Sequence, residues 1–185
     1  MDAATWVVWM SMSMGAASGH EGTAAMGHIG AYRPVTSWLA IEAQGGEGGV
    51  AGSRDPDGGM TLGHFALGTR VGPQRTAMPV RPFLWLGLSH AHETPFADIR
   101  RDPMATTIGD SSAGVSHRGG AEAGAGITFA IPRANGRLGR HLVADIRATA
   151  IYLAPMHQGE GEHGGHGGGG ARTYGYGEIA IGYRF

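Results

Sequence analysis

Ten histidines and nine methionines stand in a chain of 185 residues that contains no cysteine. Any chemistry with borderline or soft metals therefore falls to imidazole and thioether. One group of such residues is Met156-His157-Gln158-Gly159-Glu160-Gly161-Glu162-His163-Gly164-Gly165-His166, which runs on through Gly170. Glycine lets imidazoles converge on one cation, so copper or zinc held by His157, His163 and His166 is the expectation here. The bland alternative is a polar loop whose histidines bind nothing, because the spacing matches no closed zinc site. A second group is Met10, Met12, Met14, His20, Met26 and His28, a donor set suited to copper(I). A third is Ser89-His90-Ala91-His92-Glu93, which contains the nucleophile, base and acid types of a hydrolase. Triads are made by geometry and not by adjacency, and Ser89 and His90 fall on opposite faces of an extended chain. Arg100-Arg101 and His117-Arg118 offer guanidinium groups to phosphates.

The elements that must position these groups are strands. Six segments alternate apolar and polar residues with period two: 37–44, 60–71, 82–93, 119–131, 141–153 and a tail from about 171 to 185. Each is read as long enough to cross a bilayer when tilted, which takes about 9–11 residues. The intervening links 45–59, 72–81, 94–118, 132–140 and 154–170 read long, short, long, short, long, so long loops gather at one end. The segment 82–93 is apolar on both faces at first, and its facing is ambiguous. Residues 1–17 read two ways. Trp6 to Met14 followed by Gly15-Ala16-Ala17 looks like the remnant of a signal peptide, although Asp2 replaces the usual positive start. The same stretch places Trp6, Val8, Met10, Met12 and Met14 on one face of a first strand. A stretch at 25–32 supplies another, and 18–185 then forms a single domain.

Composition narrows the class. The chain is 42% hydrophobic but has no run of eighteen apolar residues, so no helix of it is built to span a membrane. Thirty-five glycines argue against a helical bundle. All fourteen basic residues are arginine and the formal net charge is −1, which gives no attraction to nucleic acid. The polar faces share Glu42, His64, Arg70, Glu122, Asp145, Arg147, Glu178 and Arg184. Enclosed together, charges of both signs would plug a narrow barrel with salt bridges. Trp38, Trp85, Tyr152, Tyr174, Tyr176, Tyr183 and Phe185 are expected as interfacial aromatic girdles. Period alone leaves a soluble, lipocalin-like barrel open, with its apolar face inward.

The tail decides the reading. Ile179, Ile181, Tyr183 and Phe185 share one strand face, and Glu178, Ala180, Gly182 and Arg184 the other. This end resembles the last strand of small bacterial outer-membrane β-barrels, the OmpA-like and OmpX-like group. Glu178, Ala180, Tyr183 and Phe185 take the motif places, with Ala180 where that group has glycine. The resemblance implies an all-β, antiparallel up-and-down transmembrane barrel of eight strands in the bacterial outer membrane. It implies that Ile179, Ile181, Tyr183 and Phe185 are read by the membrane insertion machinery, and that lipid and lipopolysaccharide are the partners. The expected role is structural or surface-interacting, with no open pore, no resident cofactor and no catalysis. One alternative is metal capture by His- and Met-rich segments, as in the composition of some copper-resistance barrels. Another is a lipid-modifying hydrolase using Ser89 or His92, because outer-membrane lipid A deacylases carry His, Ser and Glu on the barrel wall.

Overall fold

The computed structural model describes residues 6–17, 22–52, 59–74, 78–99, 104–109, 115–131, 141–155 and 170–185. Eight strands follow one another: β1 (Val7–Ala17), β2 (Gly22–Pro34), β3 (Leu39–Gly52), β4 (Met60–Val71), β5 (Val80–Pro95), β6 (Ser116–Ala130), β7 (Leu142–Leu153) and β8 (Arg172–Arg184). Two single turns of helix, α1 (Phe96–Ile99) and α2 (Ala105–Ile108), lie between β5 and β6. Each strand pairs antiparallel with its sequence neighbours, and β1 pairs with β8 to close a barrel. Among the described residues closure leaves no edge strand, which is what hydrocarbon requires.

The alternation in sequence becomes alternation of environment. In β8, burial switches at every residue. Ile179 and Ile181 face out at 64% and 57% exposure, while Glu178 and Ala180 are buried. β5, ambiguous in sequence, resolves with Leu84, Leu86 and Leu88 outward and Phe83 and Trp85 inward. Val7–Ala17 is strand β1, with Met10, Met12 and Met14 on the outside.

The register fixes the tilt. The ladder from His90 runs through Phe65, Gly45, Ile29, Met10, Ile181, Ala144 and Phe129. It returns to β5 at Val80, ten residues from its start. With about 3.3 Å of rise per residue and about 4.7 Å between strands, eight strands with this stagger tilt about 40°.

Three expectations need correction. Residues 45–52 belong to β3, so the link expected over 45–59 shrinks to 53–59. The loop asymmetry rests mainly on 96–115 and 154–171, which share one end of the barrel, here called the long-link end. The glycine-rich stretch 45–49 reads as a loop but pairs throughout, because larger neighbours fill the space its missing side chains leave. A Cβ on Gly45 would lie 3.2 Å from Cδ1 of Phe65, the aromatic covering of a strand glycine. The aromatic girdle is also smaller than expected. Trp38, Tyr152, Tyr183 and Phe185 are outside, but Trp85, Tyr174 and Tyr176 are buried in the lumen. Finally, the suggested copper(I) group is dispersed. Met10, Met12 and Met14 face out, Met26 and His28 face in, and His20 lies outside the described residues.

The lumen is layered. Toward the short-link end, Val7, Trp9, Tyr32, Ala40, Val143 and Ala180 form an apolar cluster. At the long-link end a larger one gathers Ala17, Met26, Val50, Met60, Leu62, Ile151, Leu153 and Tyr174 among others. Charged residues occupy the space between. The interior thus holds more apolar packing than a purely polar inner face would give.

Candidate functional site

The middle layer is a network of charges from opposite walls. Glu42 on β3 accepts from Arg70 Nε on β4 and from Arg147 Nη1 on β7, both at 2.8 Å. Arg70 also donates to Asp145 at 2.7 Å and to Thr128 at 3.1 Å. Arg147 forks onto Glu178 of β8 and donates to Gln44 Oε1. Gln44 donates to Glu122 at 2.8 Å, and the Trp85 indole N–H donates to the same carboxylate oxygen. His64 Nε2 lies 3.0 Å from the other oxygen of Glu122. The guanidinium of Arg70 is sandwiched between the rings of Tyr32 and Phe83, at 4.2 and 3.8 Å, and that of Arg147 covers Trp9 at 4.7 Å. Charges taken out of water cost several kcal/mol each unless paired and hydrogen-bonded. Here every one of these ions has a partner of opposite sign or a hydrogen bond to another polar side chain. Arg184 is buried near the short-link end.

A second ionic group closes the long-link mouth. Glu93 accepts from Arg118 at 2.7 Å, from Arg172 at 2.9 Å and from Tyr174 at 3.0 Å. Arg118 also donates to the carbonyls of Ala154 and Gly170, the two ends of the 154–171 link. This corrects the expectation that Arg118 would present its charge to outside phosphates: the guanidinium is buried in the mouth. Arg100 and Arg101 lie outside the described residues.

The Ser-His-Glu grouping does not assemble. Ser89 and Glu93 are buried on the inner face, while His90 and His92 project from the outer one. The strand places Ser89 Oγ and the imidazoles on opposite sides of the wall. His157, His163 and His166 lie outside the described residues. Ile181 and Ile179 are on the exterior, and Tyr183 and Phe185 stack edge to face at 5.1 Å beside them.

A different histidine group does form. His92 is the register partner of His117 on β6, and His90 precedes His92 by two on the same face. Three imidazoles therefore meet on the outer wall, just beyond Leu88 toward the long-link end. Their ligand atoms lie within 4.8 Å of one another, and His117 Nδ1 is 3.4 Å from His90 Nε2. His92 is buried because α2 folds over it. Its Nδ1 meets the carbonyl of Thr106 at 2.9 Å, and Thr106 is tied to Thr94 and Thr61 at 2.9 and 2.8 Å. Gly109 follows α2 with φ of +69°, and a Cβ there would come within 2.6 Å of the His92 ring and 3.0 Å of the His117 ring. Sequence reading treated 89–93 and 117–118 separately. Only the register of β5 with β6 joins them across 25 residues.

No family model and no curated protein matches the chain. Solved structures do. Neisserial surface protein A aligns over 98% of this chain and 97% of its own, with a TM-score of 0.61 and 12% identity. The attachment invasion locus protein Ail of Yersinia pestis aligns over 100% of both chains, with a TM-score of 0.51 and 12% identity. The outer membrane enzyme PagL aligns over 94% of this chain and 97% of its own, with a TM-score of 0.54 and 16% identity. At such identities the likeness concerns the path of the chain. The closed, antiparallel, eight-stranded architecture built above is that of the small outer-membrane β-barrels.

Proposed function

We propose that this protein resides in the bacterial outer membrane as a sealed barrel with a structural or surface-interacting role, conducting neither ions nor solutes. The observation that carries the reading is the inversion of the usual protein: Leu84, Leu86, Leu88, Ile146, Ile179 and Ile181 are exposed, while Glu42, Arg70, Arg147 and Glu178 are enclosed. In water such an exterior is an unstable apolar patch; in hydrocarbon it is solvated. Support for a sealed lumen comes from its two apolar clusters, the ion-paired network between them and the second ionic group at the long-link mouth. An eight-stranded barrel is only wide enough to be filled by its own side chains.

The outer-surface role rests on the long links 96–115 and 154–171 at one end, the end that faces out in barrels of this kind. Lipid and lipopolysaccharide are the surrounding partners in this reading, and Ile179, Ile181, Tyr183 and Phe185 are the strand read during insertion. The test is fractionation followed by reconstitution. The protein should partition with outer membranes, migrate differently on gels with and without boiling, and give no conductance steps in planar bilayers. Recovery as a detergent-free soluble monomer would refute the location, and reproducible single-channel steps would refute the seal.

A further inference from the structure

We propose that His90, His92 and His117 form a binding site for a borderline divalent cation, Zn2+ or Cu2+, on the outside of the barrel at its long-link rim. Its three ligands come from β5 and β6 and not from the glycine- and histidine-rich stretch at 156–166. Two nitrogens bound to one tetrahedral zinc, each at about 2.0–2.1 Å, stand about 3.3–3.4 Å apart. His117 Nδ1 and His90 Nε2 already stand 3.4 Å apart. The third ring is the anchored one. With its Nδ1–H given to the Thr106 carbonyl, His92 keeps Nε2 as the lone-pair nitrogen, the arrangement that orients metal-bound imidazoles. The rings of His90 and His92 are 4.9 Å apart and those of His92 and His117 4.7 Å. His90 and His117 are exposed, and the three ligand atoms already lie within 4.8 Å of one another.

A second observation is independent of the histidines' spacing. The α2 turn is fastened to the wall by Thr106, and Gly109 then passes against His92 and His117 in a left-handed conformation. Any side chain at 109 would enter the space of the two rings. The loop is thus shaped around the imidazoles. The donor set decides the ion. Among the described residues the donors are three imidazole nitrogens and no carboxylate, a set that suits Zn2+ and Cu2+ and not Ca2+ or Mg2+. Three imidazoles on a tetrahedral ion leave one coordination position for a further ligand.

The experiment uses the full chain refolded in detergent micelles, titrated calorimetrically with Zn2+ and, separately, Cu2+. Three proteins are compared: the parent, His90→Ala/His117→Ala, and His157→Ala/His163→Ala/His166→Ala. The boiled and unboiled gel positions verify that each is folded. The proposal expects one site in the parent, weakened at least about tenfold in the His90/His117 variant and retained in the triple variant. Equal affinity in the parent and the His90/His117 variant overturns it, as does loss of the site only in the triple variant. If the double variant does not fold, Co2+ added to the parent and to Gly109→Ala decides. Intense tetrahedral absorption bands in the parent that diminish in Gly109→Ala support the site, and bands identical in both overturn it.

Discussion

At the scale of single residues, Glu42 has the most consequential position. Its two oxygens hold two arginines, Arg70 and Arg147, and it is fully buried. Replacing it by leucine takes one of two anionic partners from each arginine, Arg70 keeping Asp145 and Arg147 keeping Glu178, and leaves Arg70 Nε and Arg147 Nη1 without an acceptor in the packed lumen. The expected cost is about 1–3 kcal/mol, the penalty for leaving buried donors unsatisfied, read as the shift of the denaturant midpoint in micelles. An unchanged midpoint would mean that the layer carries no stability. The inward placement of Glu42, Arg70, Glu122, Asp145, Arg147 and Glu178 was legible because each sits opposite an apolar residue in a period-two run. Which arginine meets which carboxylate was not, because partners such as Arg147 and Glu42 are 105 residues apart and meet only across the lumen. The three rim histidines escaped for the same reason. Adjacency pointed to Ser89 and Glu93 as companions of His92, and strand geometry turns both away from it.

At the scale of elements, a strand's outward face should tolerate charge according to depth. On β5 the outward apolar residues run from Val80 to Leu88, with Leu84 midway. Leu84→Arg is expected to destabilise by about 2–4 kcal/mol and Val80→Arg by about 0–1 kcal/mol, as arginine does at the midplane and near the interface of membrane barrels. Equal costs measured by reversible unfolding into detergent would place the hydrocarbon elsewhere. Strands with clean alternation, such as β7 and β8, were plain in the sequence. The second half of β3 was hidden because Gly45, Gly46, Gly48 and Gly49 carry no side chain to alternate. Its partners supply the bulk instead, Met26 and His28 on one side and Phe65 on the other. Trp85, Tyr174 and Tyr176 were misplaced because aromatic residues suit an interface and a packed interior equally well.

At the scale of the whole molecule, closure depends on strands that stand at opposite ends of the described chain. β1 and β8 pair over eleven positions, from Val7↔Arg184 to Ala17↔Tyr174. Removing 172–185 should leave β1 and β7 with open edges in an apolar medium, and no species with altered unboiled migration should form. A truncated chain that still shows that migration would mean the seam is dispensable. The eight-strand count required finding β1 in a stretch, 1–17, that also reads as a leader, and β2 around the short stretch 25–32, so the architecture followed from the tail more than from the start. The paired ions have a mechanical consequence as well. A ring of hydrogen-bonded ribbons resists stretching around its girth yet flattens easily into an oval. Arg147 and Arg70 reach from β7 and β4 to Glu42 on β3 and to Asp145 and Glu178 on β7 and β8. They act as spokes in a wheel, so lateral squeezing by the surrounding lipid has to break ionic contacts before the cross-section can lose its roundness.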